Sequence, residues 1–336
     1  MPTIDWSSMP KVELHLHLEG AIPPEAMWEL IGRHGGDPEV PSPEALAERF
    51  EFTDFAHFIG VWEWKLKFHD TLEDYQYLAA AVAEDLRRQG HVYVEAFVSP
   101  TDSPLEPAAM LMAVRRGLDQ VTGVEVALVP DLVRDTGPIA AMRTLEAVIS
   151  VREDAGVVGI TIGGSEQLHP PEQFAPVYRR AREAGLRLTA HAGEAAGPAS
   201  VRRAIDDLGV DRIGHGVRAV EDPALVRELV ECQIPLEVCP TSNLRTRVAP
   251  SMERHQVRTL IDEGAFVTIN TDDPAMFGCT LAGEFAALAE LGYDDETLRM
   301  LTENAIDGSW ASAARKRELH VGLAAWWQQH SVPPVA

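Results

Sequence analysis

Short apolar segments alternate with longer amphipathic stretches along most of the 336 residues. The stretches between the short segments show helical spacing, as at 71–89 and 138–153. Short strands separated by helices predict parallel pairing through crossover helices. Eight such units predict a closed (β/α)8 barrel, the TIM-barrel architecture, within the α/β class. The predicted strands are 12–20, 91–98, 124–129, 157–162, 186–191, 212–215, 235–239 and 266–270.

An open, doubly wound sheet is the alternative fold, but no predicted strand is followed by a G-x-G-x-x-G fingerprint. No low-complexity linker divides the chain, so residues 1–336 are predicted to form a single domain. Extra helices are expected after the first strand and at 280–327. One of the early helices carries apolar residues that favour either a core-facing helix or an apolar lid over a planar substrate. This run comprises Phe55, Phe58, Ile59, Trp62 and Leu66.

The opening strand places polar side chains on one face and leucines on the other. His15 and His17 fall on the polar face, between Glu13 and Glu19, because side chains alternate across a strand. Two histidines one residue apart project side by side, close enough to share one metal ion. The alternative is a costly polar core. Glu13 is a candidate for fixing one ligand imidazole.

Charge and cysteine content narrow the functional classes. A formal net charge of -23 repels nucleic-acid backbones and anionic membranes, so neither partner is expected. No signal peptide and no apolar run of membrane-spanning length is visible. Cys232, Cys239 and Cys279 are widely spaced and predict reduced thiols in a cytoplasmic protein.

Polar residues concentrate where the predicted strands end, which is where this fold places active sites. Three strand ends carry histidine and one carries paired aspartates, so three imidazoles and a carboxylate could surround one ion. Such a nitrogen and oxygen donor set suits zinc, with iron, cobalt or manganese as alternatives. The residues at these ends include His15, His17, Gly164, His191, Glu194, His215, Asp272 and Asp273.

A bound metal of this kind lowers the pKa of water to about 7, and hydrolysis then needs an acid and a base. Glu194, one short turn beyond His191, is placed to act as the acid. His215 could orient or deprotonate the water, and Asp273 should point towards the substrate. The H-x-E and P-C-x-x-C signature of cytidine deaminases, the G-x-S-x-G elbow and the P-loop do not occur.

Five segments, in this order, resemble the adenosine deaminase family of metal-dependent amidohydrolases: ELHLHLEGAI, HAGE, RIGHGVRA, EVCPTSN and NTDDPAMFG. The resemblance implies an enzyme with one zinc ion, which replaces the 6-amino group of a purine by oxygen and releases ammonia. It implies His15, His17, His191 and Asp272 as zinc ligands. It further implies that Glu194 protonates purine N1, His215 assists the water, Asp273 meets N7, the Gly164 backbone meets N3, and Glu19 and His17 contact the substrate.

Three departures from the family pattern bear on the substrate. Glu19 stands where adenosine-specific members usually carry Asp, Phe97 where they often carry Arg, and Thr161 where many carry Asp. Gly214 and the Gly164 turn resemble the nucleoside-specific group instead. We therefore expect a 6-aminopurine nucleoside, adenosine or a modified adenosine, with aminodeoxyfutalosine and adenine as alternatives. Another barrel hydrolase with one metal and a non-catalytic purine-binding barrel are weaker alternatives. The oligomeric state stays open.

Overall fold

The computed structural model describes residues 4–53 and 55–330 of the chain. The outermost ends of the predicted 1–336 domain and the Phe55 side chain lie outside this description. Within it, the strands are β1 (Lys11–His17), β2 (His91–Val98), β3 (Glu125–Pro130), β4 (Gly159–Ile160), β5 (Arg187–Leu188), β6 (His191–Ala192), β7 (Ile213–His215), β8 (Leu236–Val238) and β9 (Val267–Ile269).

Parallel backbone hydrogen bonds join these strands into one ring. The paired strands run β1-β2-β3, β4-β5 and β6-β7-β8-β9. Single bridges link β3 to the β4 segment, at Leu128 with Val157 and at Asp131 with Thr161. The segment of β5 and β6 is continuous and corresponds to the predicted fifth strand. Eight barrel strands therefore follow one another in chain order, as the sequence predicted.

The ring closes between the first and last strands, beside the polar residues of interest. Leu16 forms a parallel bridge with Asp272. The His17 amide donates to the Asp272 carbonyl at 2.7 Å, and the Asp272 amide donates to the His15 carbonyl at 3.1 Å. Closure of the barrel therefore brings the histidines of the first strand next to Asp272, which follows the last strand.

Helices cover the outside of the barrel, and extra ones follow the first and last strands as predicted. α4 begins with a capping box between Thr71 and Asp74. The α-helices are α1 (Pro24–Arg33), α2 (Pro43–Arg49), α3 (Phe55–Lys65), α4 (Leu72–Arg88), α5 (Pro107–Leu118), α6 (Gly137–Ala155), α7 (Ala175–Glu183), α8 (Pro198–Arg203), α9 (Pro223–Cys232), α10 (Pro240–Arg245), α11 (Val257–Asp262), α12 (Pro274–Phe277), α13 (Leu281–Glu290), α14 (Asp295–Gly308) and α15 (Ala313–His330).

Helix α3 packs against the core and also borders the central cavity. Phe58 is buried with its ring 5.1 Å from that of Phe277, and Phe58, Ile59 and Trp62 line the cavity. A role as a lid over a planar substrate stays a prediction. At the other end of the chain, Trp326 and Trp327 of α15 pack against Trp6. No described helix is long and apolar enough to cross a membrane. The three cysteines are free thiols.

Candidate active site

Four side chains that the sequence predicted as metal ligands meet at the carboxyl end of the barrel. His17 Nε2 lies 3.2 Å from His191 Nε2 and 3.3 Å from Asp272 Oδ1. His15 Nε2 also lies 3.3 Å from Asp272 Oδ1. His215 is close as well, with its Nε2 3.9 Å from Asp272 Oδ2. One atom each from His15, His191, His215 and Asp272 falls within a mutual 4.8 Å.

Two residues of this cluster hold a backbone conformation that L-residues rarely adopt. Asp272 has a φ of 68° and His215 a φ of 61°. Such conformations cost about 1–3 kcal/mol each and persist where the surroundings impose them. Barrel closure at Leu16 fixes Asp272, and pairing of β7 with β6 and β8 fixes the segment before His215. The fold therefore tolerates a cost in folding free energy at the two residues whose side chains line the cavity.

The Asp272 carboxylate dominates the electrostatics of the cluster. Burial alone would raise its pKa, but hydrogen bonds with His15 and His17 hold the pKa well below the ordinary value. Burial would likewise lower the pKa of His15, yet Asp272 and Glu237 raise it to about 10. Burial and the neighbouring imidazoles keep the pKa of His191 well below its ordinary value. Ser242 Oγ donates to Asp272 Oδ2 at 2.6 Å.

His15 is held from behind by a buried ionic network. Its Nδ1 lies 3.0 Å from Glu237 Oε2 on β8. Arg212 places Nε 2.6 Å from Glu237 Oε1 and Nη1 2.6 Å from Glu95 Oε2, and its guanidinium lies 3.6 Å from the Trp310 ring centroid. These contacts hold His15 Nδ1 against Glu237, so that Nε2 is the nitrogen that faces the ligand cluster.

His191 has a weaker partner behind it. Its Nδ1 lies 3.4 Å from Thr161 Oγ1. Thr161 is the residue that stands where many members of the family carry Asp. A neutral hydroxyl at this distance is near the limit of a hydrogen bond. The imidazole of His15 is therefore held in place more firmly than that of His191.

Glu194 lies on the cavity wall, and its carboxylate oxygen Oε2 is 3.6 Å from His215 Nε2. Burial, together with the charges of Asp272 and Glu166, raises its pKa to about 8. Glu166 shapes the loop by accepting from the amides of Gly193 at 2.6 Å and Ala196 at 2.8 Å. A carboxyl that stays protonated near neutral pH is suited to donate a proton.

Asp273 also lines the cavity, and its Oδ1 is buried without a hydrogen-bond partner among the described residues. Burial and the neighbouring Asp272 raise its pKa to about 7. A side chain at Gly20 would overlap it, because a Cβ there would lie 1.8 Å from Asp273 Oδ1. Gly20 thus makes room for this carboxyl.

Gly164 adopts a φ of 92° in the turn after β4, which glycine accommodates readily. Asp131 Oδ1 accepts from the Gly163 amide at 2.8 Å, and Asp135 Oδ2 accepts from the Ser165 amide at 2.7 Å. The amide between them, that of Gly164, donates to no protein acceptor within the described chain. The turn lines the cavity, so this donor is available to a ligand.

Glu19 lies behind the wall instead of on it. Its side chain is 1% exposed, and its Oε1 accepts from the Ser99 amide at 2.9 Å. Ser99 lines the cavity, whereas Glu19 does not. Lys65 donates to the Glu19 carbonyl at 2.6 Å. Direct contact between Glu19 and a substrate stays a prediction.

These groups face one cavity of about 340 Å³ at the mouth of the barrel. Its wall combines the apolar side chains of α3 with convergent polar groups, which is the usual composition of a small-molecule site. Besides the residues already described, it is lined by Glu63, Leu66, Asp102, Val133 and Thr246.

Sequence reasoning missed several residues that support the site. Glu237 and Ser242 lay in recognised segments but received no role, and Glu95 lay unremarked inside an apolar strand. Each is a polar residue on the inner face of a strand or just past its end. The expectation for Glu13 was wrong, since its Oε2 lies 2.9 Å from His91 Nε2 and its Oε1 accepts from Thr271, away from the ligand imidazoles.

A sequence model of the adenosine deaminase family matches residues 10–326. The chain belongs to this family. It is 38% identical over 325 residues to an adenine deaminase of Rhodospirillum rubrum, with 95% of this chain and 97% of that protein covered. It is 39% identical over 333 residues to an aminodeoxyfutalosine deaminase of Streptomyces avermitilis, with 95% and 93% covered.

The crystal structure of an amidohydrolase from Burkholderia ambifaria with bound zinc is similar to this chain, with a TM-score of 0.87. The two are 29% identical, and the match covers 97% of this chain and 91% of the other. Family membership makes the chain a deaminase, a hydrolase that acts on C–N bonds in adenine, aminodeoxyfutalosine or adenosine-like substrates.

Proposed function

We propose that this chain catalyses zinc-dependent hydrolytic deamination of a 6-aminopurine nucleoside, adenosine or a modified adenosine, to the 6-oxo product and ammonia. The observation that carries the proposal is the cluster of His15, His191, His215 and Asp272, with His17 Nε2 3.2 Å from His191 Nε2 and Glu194 on the same cavity wall. A cytoplasmic location is part of the proposal, and the free thiols are compatible with it.

The donor atoms fit zinc. Two ligands about 2.0–2.1 Å from a tetrahedral ion lie about 3.3 Å apart. The separations of His17 Nε2 from His191 Nε2 and from Asp272 Oδ1 are 3.2 and 3.3 Å. His15 Nε2 is buried without a hydrogen-bond partner among the described residues, as a ligand nitrogen would be. We therefore propose His15, His17, His191 and Asp272 as the ligands; the bound zinc of a similar structure supports the choice of metal.

Zinc at this position supplies Lewis acidity and lowers the pKa of water towards 7. The chain's own groups do the remaining work. Glu194, held protonated by its burial, donates to purine N1 as water adds to C6. Burial lowers the pKa of His215, so its imidazole is neutral, and its Nε2, which has no hydrogen-bond partner among the described residues, can accept a hydrogen bond that orients the water.

Two further groups position the purine. The unpartnered Asp273 Oδ1 faces the cavity and is proposed to hydrogen-bond N7. The Gly164 amide is proposed to donate to N3. With C6 at the ligand cluster and N1 at Glu194, these contacts fix the plane and the rotation of the ring. The apolar side chains of Trp62 and Leu66 then cover the ring.

A substrate panel tests the proposal. Ammonia release is measured for adenine, adenosine, deoxyadenosine, methylthioadenosine and aminodeoxyfutalosine with the zinc-loaded enzyme. The proposal predicts that a nucleoside has the highest kcat/KM. Adenine is the second candidate, because a relative that covers nearly the whole chain is named adenine deaminase. A clear preference for free adenine would replace the proposal, and inertness towards the whole panel would refute it.

A further inference from the structure

Carboxylates line the side of the cavity that lies over the ends of β2 and β3. Asp102 follows β2, Asp131 and Asp135 follow β3, and Glu63 projects from α3. The described lining contains no lysine or arginine. None of these four carboxylates has a Lys or Arg nitrogen within 4 Å in the part of the chain that the structure describes.

Backbone hydrogen bonds fix two of these carboxylates in place. Asp131 Oδ1 accepts from the amides of Val133 at 2.9 Å and Gly163 at 2.8 Å, and Asp135 accepts from Ser165. Arg134 is a buried cation whose charge interacts with those of Asp131 and Asp135, but it lies behind the wall. Its guanidinium donates to the carbonyls of Gly163, His169 and His191 and does not line the cavity. The surface that a ligand meets here is therefore anionic.

The pKa of Asp102 reflects both its burial and the negative charges around it. Burial first, and then the charges of Asp131, Glu19 and Asp135, raise its pKa to about 7. An additional negative charge brought to this side would meet the same repulsion.

The order of atoms around a purine directs the sugar to this side. Going round the ring, C6 and N1 are followed by N3, then by N9, which carries the sugar, and then by N7. With N1 at Glu194, N3 at Gly164 and N7 at Asp273, the sugar leaves between the latter two. Gly164 follows the fourth barrel strand and Asp273 follows the eighth, which neighbours the first. The second and third strands, with their carboxylates, fill the space between.

Two arginines line an adjoining hollow and do not line the cavity itself. Arg218 and Arg247 lie in this hollow, which shares Ser165, Glu194 and Thr246 with the cavity. The cavity wall at the ends of the second and third strands therefore carries carboxylates and no arginine.

We propose that Asp102, Asp131 and Asp135 form a charge filter, which accepts nucleosides with a neutral or cationic 5′ group and rejects those with an anionic one. This inference rests on the proposed function. A separate observation marks the cavity as a ligand site: Asp273 is 3% exposed, lines it and has an unpartnered Oδ1. Negative charges that repel the wrong ligand are a common source of specificity.

A matched pair of substrates tests the filter in the zinc-loaded enzyme at about pH 8, where Asp102, with a pKa of about 7, is ionised. Adenosine 5′-carboxamide and adenosine 5′-carboxylate have nearly the same shape and differ in charge. Since like charges brought together cost several kcal/mol, kcat/KM should favour the carboxamide by on the order of a hundredfold. 5′-Amino-5′-deoxyadenosine should be accepted, and aminodeoxyfutalosine, whose extension ends in a carboxylate, should be rejected. Equal rates for the matched pair, or aminodeoxyfutalosine as the best substrate, would overturn the filter.

Variants assign the selectivity to these residues. The double variant Asp102→Asn/Asp135→Asn keeps an oxygen that can accept from Ser165 and should lower the carboxamide to carboxylate ratio by about tenfold. Asp207→Asn removes one exposed carboxylate far from the cavity and should leave the ratio unchanged. An unchanged ratio in the double variant contradicts the filter.

Failure of the proposed function has a different signature from failure of the filter, because then neither member of the matched pair nor 5′-amino-5′-deoxyadenosine releases ammonia.

Discussion

Two buried polar layers lie one above the other inside this barrel, and they are satisfied differently. The lower layer, formed by Glu95, Arg212 and Glu237, pairs one guanidinium with two carboxylates at 2.6 Å on each side. In this layer Glu95 Oε2 and Arg212 Nη2 lack a hydrogen-bond partner among the described residues, but the charges themselves are paired. The upper layer, formed by the imidazoles and carboxyls of the candidate site, leaves more polar atoms without a hydrogen-bond partner in the described part of the chain. They include His15 Nε2, His17 Nδ1, His215 Nε2 and Asp273 Oδ1.

The difference shows which layer serves the fold and which serves a ligand. An unsatisfied buried polar group costs about 1–3 kcal/mol, so a cluster of them is retained where a ligand completes the hydrogen bonds or coordination. The charges of the lower layer are paired within the chain. This layer spans the barrel interior and orients His15 for the layer above.

The strongest way to test this division is to remove the proton donor of the upper layer. Glu194→Gln keeps the shape but loses the acidic proton, so kcat should fall by about 10²–10⁴-fold while the zinc content stays unchanged. Ammonia release and metal analysis are measured together. Glu290→Gln, an exposed substitution at the end of α13, is the matched control. A near-normal rate in Glu194→Gln would remove this residue from the proton transfer.

The lower layer should fail in stability. Arg212→Met leaves Glu95 and Glu237 buried without their cation, which should cost about 3–5 kcal/mol in the free energy of unfolding by urea. Arg180→Met breaks an exposed pair with Glu146 and should cost about 1 kcal/mol or less. Similar losses in the two variants would show that the lower layer is not the structural support described here.

The hydrogen bond between Glu237 and His15, which joins the two layers, should affect the affinity of the site for zinc. Glu237→Gln weakens the acceptor behind His15 and should raise the zinc dissociation constant by about 10–100-fold, measured by competition with a chromophoric chelator. Thr161→Val removes only a hydroxyl 3.4 Å from His191 and should change the constant less. The reverse order of effects would show that His191, and not His15, is the better-oriented ligand.

A pH-dependent effect is expected at the rim of the upper layer, where Asp102 has a pKa of about 7 against an ordinary value of 3.8. The folded protein then holds a proton that the unfolded chain has lost, so this group's contribution to stability falls as pH rises from about 4 to about 7. Asp102→Asn removes that dependence. Urea unfolding should show the variant gaining stability relative to the unsubstituted protein at pH 8 compared with pH 4.5. An equal difference at both pH values would contradict the raised pKa.

The sequence predicted the upper layer far better than the lower one. The alternation of strands and helices predicts the barrel, and the fold places strand ends such as His15 and Asp272 on one face. That reasoning needs no side-chain contacts. It also found Glu194 and Asp273, because each follows a ligand candidate at a strand end.

The sequence did not predict the lower layer because its ion pairs join residues that are far apart in the sequence. Glu95 and Arg212 are 117 residues apart, and nothing local distinguishes them from polar residues that face solvent. The same limit explains Glu13, whose partner His91 comes from the neighbouring strand. Which of two polar neighbours supports a ligand is decided by strand register, and a sequence alone does not give the register.

The claim at the centre of this account is that the upper layer holds one zinc ion. Anomalous diffraction at the zinc edge from crystals of the zinc-loaded protein tests it directly. We expect one strong peak per chain, within about 2.0–2.2 Å of His15, His17, His191 and Asp272. A second strong peak in the cavity, a peak bound by His215 in place of His17, or no peak among these residues would contradict it.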